Sequence, residues 1–151
     1  MRFLTDDGLF GFLVTPVAGP GMFRFQLVID GRLIGDTEPC FLGTAMGDLG
    51  SLPHLDDERL GRLSSDRDIV LSALLSEEQL HDAATLPLAE SIDHWLIHGY
   101  VYKGDVVMIA RADEDGSLTG PTWISVVRST EYDAIFDAAH SYWSRTNGLA
   151  N

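Results

Sequence analysis

The chain is organised around residues 23–36, which read Phe23-Arg-Phe-Gln-Leu-Val-Ile-Asp-Gly-Arg-Leu-Ile-Gly-Asp36. Apolar residues occupy alternate positions from Phe23 to Ile29, which is typical of a strand with one buried face. Asp30-Gly31 then supplies the two positive-φ residues that a type I′ turn requires. A two-residue turn places Leu27 opposite Ile34, so that the pair extends the buried face. We therefore predict a β-hairpin whose register is fixed by its own sequence.

Other segments of the chain also have the period of strands. Residues 8–14 place Phe10, Phe12 and Val14 on one face, and with the hairpin they predict three consecutive antiparallel strands. Residues 95–102 and 105–110 form a second predicted hairpin around Lys103-Gly104. Residues 113–116 then predict a turn, and 122–127 a further strand, so the second sheet is also a meander.

The region between the two predicted sheets favours helices. Thr44 can cap a short helix that runs through residues 45–49, although its glycines weaken it. Residues 56–63 are either a helical turn or a loop, and 66–75 are either a helix or a short strand. Ser76-Glu-Glu-Gln79 has the spacing of a capping box and opens a helix that ends at Pro87.

The clearest predicted helix is the last one. Thr130 and Asp133 have capping-box-like spacing, and Asn147-Gly148 ends the helix. Its apolar positions form one stripe that should pack on a sheet, namely Tyr132, Ile135, Phe136, Ala139, Tyr142 and Trp143. The predicted fold is therefore α+β, with antiparallel meanders, a helical middle and a C-terminal amphipathic helix on the sheet. A length of 151 residues predicts one domain over 1–151.

Charge restricts the classes of partner. The chain has 23 acidic and 10 basic side chains, a formal net charge of −13. This charge disfavours nucleic acid and anionic membrane surfaces and favours a basic protein partner, although it also simply promotes solubility. The chain contains a single cysteine, Cys40, and no signal-peptide pattern, which together favour the cytoplasm.

The residues that most often carry chemistry form no recognised catalytic motif. His94 and His98 are four residues apart, but a zincin helix needs glutamate where Trp95 stands, and the segment is predicted as a strand. Cys40 has no cationic neighbour in the sequence and is predicted to be a buried thiol. No phosphate-binding or dinucleotide loop is present, so no cofactor is expected. Two alternative functions remain open. One is a small hydrolase or metal-dependent enzyme that uses His94, His98 and nearby acids, and the other is a regulatory binding module.

Acidic side chains cluster where predicted elements end. Any one group is easily explained as solvated surface charge, but several together could form one negative face for a basic partner. The candidate contact residues are Asp36, Glu38, Asp56, Asp57, Glu58, Asp113, Glu114 and Asp115.

The order of these features is similar to that of a known family. The chain resembles the immunity proteins of bacterial polymorphic toxin systems, which include contact-dependent growth inhibition. The resemblance lies in Asp30-Gly31, in Leu33-Ile34-Gly35-Asp36 and in Leu42-Gly-Thr44 before a helix. The strands at Trp95 and at 106–110, and the helix from Glu131, also look like that family's layout. The resemblance implies a small cytoplasmic α+β protein, without catalysis, that binds and blocks the C-terminal domain of one cognate toxin. Many such toxins are nucleases with basic clefts, so the resemblance also implies an acidic inhibitory surface. Gly35 and Asp36 themselves are expected to shape a bend and cap a turn.

Overall fold

The predicted hairpin is present in the fold with its predicted register. A computed structural model describes residues 1–18, 21–55, 84–88, 92, 94–112 and 121–147. Strand β3 pairs with β4 so that Leu27 lies opposite Ile34, and the turn residues Asp30 and Gly31 have φ of 53° and 70°. The strands of the first sheet are β1 (Arg2–Leu4), β2 (Phe10–Pro16), β3 (Met22–Ile29), β4 (Arg32–Ile34) and β5 (Pro39–Phe41).

The first sheet has the order β1-β2-β3-β4. Strand β4 pairs with the end of β3, and β5 pairs with the beginning of β3. The predicted inward positions of β2, which are Phe10, Phe12 and Val14, are buried. The predicted exit from the hairpin at residues 36–44 contains β5, a strand that the sequence did not indicate. Cys40 at its centre is buried, as predicted, and lies opposite Phe23.

The short helix α1 (Gly43–Leu49) is present, but its predicted cap is wrong. Leu42 occupies the N-cap position and makes no side-chain capping hydrogen bond, so Thr44 lies within the helix. The helix is held instead by its apolar face, because Ala45, Met46 and Leu49 are all buried. The predictions for 56–63, 66–75 and the capping box at Ser76 lie outside the described residues, as does the turn at 113–116.

The second sheet is the predicted meander, with the order β6-β7-β8: β6 (Trp95–Tyr102), β7 (Asp105–Ala112) and β8 (Thr122–Arg128). Its first turn is the predicted one, since Lys103 and Gly104 have φ of 50° and 87°. Both faces of the sheet contain buried residues. One face joins the main core, and the other forms a smaller cluster that includes Tyr100 and Ile109.

The second described helix, α2 (Ser129–Thr146), follows β8 directly and packs chiefly on β1 and β2. The predicted Thr130 cap is wrong, because the N-cap residue is Arg128 and no side chain caps the helix. The C-cap is Asn147, as predicted. The predicted stripe is confirmed, since Tyr132 and Ile135 are buried and Phe136 is half-buried against the core. The two antiparallel sheets and the helix packed on them confirm the α+β prediction.

Candidate functional site

Two of the predicted contact acids lie in the described part of the chain, directly after the hairpin. Gly35 has a φ of 100°, which confirms the predicted bend. The backbone N–H of Glu38 donates to Oδ1 of Asp36 at 2.7 Å, so Asp36 caps the turn as predicted. Glu38 is exposed. The other candidates, Asp56, Asp57, Glu58, Asp113, Glu114 and Asp115, lie outside the described residues.

The two histidines of the enzyme hypothesis occupy different environments. His94 is exposed in the turn before β6, whereas His98 lies within β6 and is only 1% exposed. Among the residues that the structure describes, no group of three or more His, Cys, Asp or Glu side chains could hold a metal ion. His94 and His98 therefore do not belong to a group of possible metal ligands among the described residues.

A surface cavity of about 340 Å³ between α1, β6 and α2 contains the three residue types of a hydrolytic triad. Its lining includes His54, Ser129 and Asp133. Ser129 Oγ is buried and accepts or donates no hydrogen bond within the described structure. A nucleophilic serine is normally activated by a hydrogen-bonded base, so this cavity lacks the arrangement that such chemistry uses.

A second cavity, of about 200 Å³, brings together residues that are distant in the sequence. The turn at residues 5–9, the tip of the β3–β4 hairpin, strand β8 and the first turn of α2 form its walls. We call it the acidic groove and define it by its exposed lining residues, which are Asp7, Leu9, Asp30, Val126, Arg128 and Glu131.

The acidic groove combines negative charge with exposed apolar surface. Asp7, Asp30 and Glu131 are exposed, and within the described chain none of these carboxylates forms an ion pair. Leu9 and Val126 are each 47% exposed, which is high for large apolar side chains. Exposed apolar side chains and unpaired carboxylates therefore line the same groove.

The carboxylate of Asp7 is held in place by its own turn. Its Oδ1 accepts a hydrogen bond from the Thr5 hydroxyl at 2.6 Å and another from the Leu9 backbone N–H at 2.9 Å. These two hydrogen bonds hold the pKa of Asp7 below its ordinary value, and the bond from the Thr5 hydroxyl has the larger effect. Asp7 therefore carries a fixed negative charge at neutral pH.

Ser125 of β8 fixes the two loops of the groove against the second sheet. Its Oγ accepts a hydrogen bond from the Asp30 backbone N–H at 2.7 Å and donates one to the Leu9 carbonyl at 3.2 Å. Gly31 N–H donates to the same carbonyl at 2.9 Å. The sequence contains a signal for this role, because Ser125 is a polar residue on the strand face that should be apolar. Ser125, with 6% exposure, was missed as a site residue.

An adjoining groove extends the surface along α2. This cavity, of about 430 Å³, lies between β1 and α2 and shares Glu131 with the acidic groove. Asp6 adds a further carboxylate to its lining, Arg2 adds a cation, and Leu4 adds an apolar side chain that is 36% exposed. The two grooves meet at Glu131, and both are lined by acidic and apolar side chains.

Comparisons with known proteins relate the fold to one solved structure. The chain is similar to the crystal structure of CdiI from Burkholderia dolosa, with a TM-score of 0.61 at 14% sequence identity. The similarity covers 94% of this chain and 99% of that chain. No protein-family model and no curated protein sequence matches the chain. CdiI is a contact-dependent growth inhibition immunity protein, so the predicted resemblance is confirmed at the level of the fold.

Proposed function

We propose that this protein is an immunity protein that binds and neutralises the C-terminal domain of a cognate bacterial toxin. The observation that carries the proposal is the fold similarity to CdiI, which extends over nearly the whole of both chains. A match of that extent concerns the fold as a whole and not a single common supersecondary motif. Because a fold can serve several functions, the proposal also needs a suitable surface.

The charge of the chain supports a basic partner. The net charge of −13 favours association with a positively charged surface and speeds the encounter. We propose a nuclease toxin, because a cleft that binds the nucleic-acid backbone is basic and an acidic protein can occlude it. Asp36, Glu38 and the acidic runs at 56–58 and 113–115 are proposed to contribute to this negative face.

An inhibitory role also fits the described residues better than the enzyme alternative does. His94 is exposed and His98 is buried, so the two imidazoles lie in different environments. We propose that the protein acts in the cytoplasm as a single domain over 1–151, without catalysis or a cofactor. No helix in the described ranges is long and apolar enough to span a membrane.

Co-expression with a toxin tests the proposal. The proposal predicts a toxin gene beside the gene for this protein, and the C-terminal domain which that toxin gene encodes is expressed in a bacterial host, with and without this protein. We expect growth to be rescued by this protein and not by an immunity protein from an unrelated toxin pair. If the adjacent domain is toxic and growth is not rescued, the immunity role is wrong. A stoichiometric transition metal in the purified protein, measured by elemental analysis, would instead favour the enzyme alternative.

The dependence of binding on salt tests the charge argument separately. Raising ionic strength screens long-range attraction, so the association rate with the toxin domain is expected to fall while a complex still forms. An association rate that is equal at low and high salt would remove the electrostatic part of the proposal and leave the binding role.

A further inference from the structure

We propose that the acidic groove is the contact site for a basic segment of the toxin domain, one that presents an arginine or lysine beside an apolar side chain. This inference rests on the proposed immunity function and names the surface that performs it. The occupant follows from the lining of the groove, which offers carboxylates and exposed apolar side chains in one place.

The charges of the groove are available to a partner. The groove is lined by three carboxylates, those of Asp7, Asp30 and Glu131, and by a single guanidinium, that of Arg128. Within the described chain no ion pair involves the three carboxylates, so an incoming cation does not have to displace an internal one. An arginine fits this arrangement well, because its guanidinium presents several donors to carboxylate oxygens.

The apolar side chains of the groove give the partner a second kind of contact. Leu9 and Val126 project from different elements, the 5–9 turn and β8, and each is 47% exposed. Covering them removes apolar surface from water and excludes water from the neighbouring charges. This combination favours a segment that carries both a cation and an apolar residue over a segment that carries cations alone.

The loops that form the groove are fixed before binding. Thr5 and the Leu9 N–H hold the Asp7 carboxylate, and Ser125 holds the backbone of Asp30. Ordering loops on binding costs free energy, so a surface that is already ordered binds more tightly for the same contacts. The adjoining groove beside Leu4 enlarges the face toward the area of about 800 Å² per partner that a stable complex buries.

Matched variants test the groove with the purified toxin domain as the probe. Glu131→Gln removes a groove charge, and Asp137→Asn removes an exposed charge from the same helix outside the lining. Leu9→Ser removes an exposed apolar side chain of the groove, and Leu33→Ser removes one that is 51% exposed elsewhere. We expect each groove variant to raise the Kd about tenfold or more, while each control changes it less than about twofold.

The outcomes separate this inference from the function on which it rests. If the wild-type protein binds and rescues growth but the groove variants behave as the controls do, the groove proposal is overturned and the immunity role stands. If the wild-type protein neither binds the toxin domain nor rescues growth, the groove proposal and the immunity role are both wrong. A dimer of this chain that Glu131→Lys dissociates would assign the groove to a second copy and would also overturn the proposal.

Thermal unfolding of each variant excludes a trivial loss of fold. Glu131→Lys provides the charge test even if Leu9→Ser does not fold, because residue 131 is exposed. In the folded protein this reversal is expected to weaken binding more than Glu131→Gln does, and equal affinities would overturn the charge argument.

Discussion

Substitution of Ser125 tests whether one hydroxyl holds the two sheets together at the acidic groove. In Ser125→Ala the backbone N–H of Asp30 loses its acceptor at 2.7 Å. The Leu9 carbonyl loses a donor at 3.2 Å but keeps the Gly31 N–H at 2.9 Å. The cost therefore comes mainly from one partly buried donor that is left without a partner.

The expected loss of stability is about 1–2 kcal/mol, the lower part of the range of about 1–3 kcal/mol for a buried polar group without its hydrogen bond, because this donor is only partly buried. For a chain of this length such a loss lowers Tm by roughly 2–8 °C. Ser129→Ala is the matched control, because it removes a buried hydroxyl that has no partner among the described residues. It is expected to change stability by less than about 0.5 kcal/mol.

Urea denaturation of the two variants and the wild type gives the comparison, and hydrogen exchange localises it. The Asp30 amide is expected to exchange faster in Ser125→Ala than in the wild type, while amides in the centre of β3 keep their protection. Equal stabilities for the two serine variants, or an unchanged exchange rate at Asp30, would refute the role given to Ser125.

Further changes probe the strand pairing, the core and the groove. Gly11→Ala is expected to cost at least about 2 kcal/mol in urea denaturation, because a Cβ there would lie 2.1 Å from a backbone oxygen of β1, and a smaller loss would contradict that packing. Burial raises the pKa of Tyr100 and of Tyr132, so two of the four tyrosines should ionise late in an absorbance titration of the folded protein. Because the folded state keeps these protons, the contribution of the two tyrosines to folding stability is complete below about pH 10 and is lost as the pH rises beyond that value. Simultaneous ionisation of all tyrosines in the native state would contradict this expectation. Thr5→Val is expected to raise the pKa of Asp7 toward its ordinary value, measured by NMR titration, because the hydroxyl bond is the main cause of its depression; an unchanged pKa would show otherwise.

The two hairpins were predictable because their information is local. Alternation from Phe23 to Ile29 defines a buried face, and Asp30-Gly31 allows only a tight turn, so the register follows from the turn. The same reasoning holds for the turn at Lys103-Gly104. The face of α2 was also predictable, since a period of 3.6 residues identifies its buried side without knowledge of the sheet.

The short edge strands and the helix caps depend on tertiary contacts. Strands β1 and β5 have three residues each, too few to show an alternating pattern, and they exist because β2 and β3 offer free edges. Helix α2 begins directly from β8, so it uses neither the predicted Thr130 cap nor any other side chain. Helices whose apolar faces are buried do not need such caps to form.

The acidic groove was not predictable from sequence for a related reason. Asp7, Asp30 and Glu131 come from three separate parts of the chain, and only the packing of the two sheets brings them to one cavity. Sequence proximity favoured Asp36 and Glu38 instead. The structure shows that Asp36 caps a turn, as its place after Gly35 predicts, and contact of Asp36 and Glu38 with a partner stays a prediction.

Titration of the purified toxin domain with this purified protein tests the immunity role most directly. We predict a saturable complex of one molecule of each, with an association rate that falls as salt is raised and an affinity that Glu131→Lys weakens. Absence of any complex at micromolar concentrations of both folded proteins would contradict the proposed function.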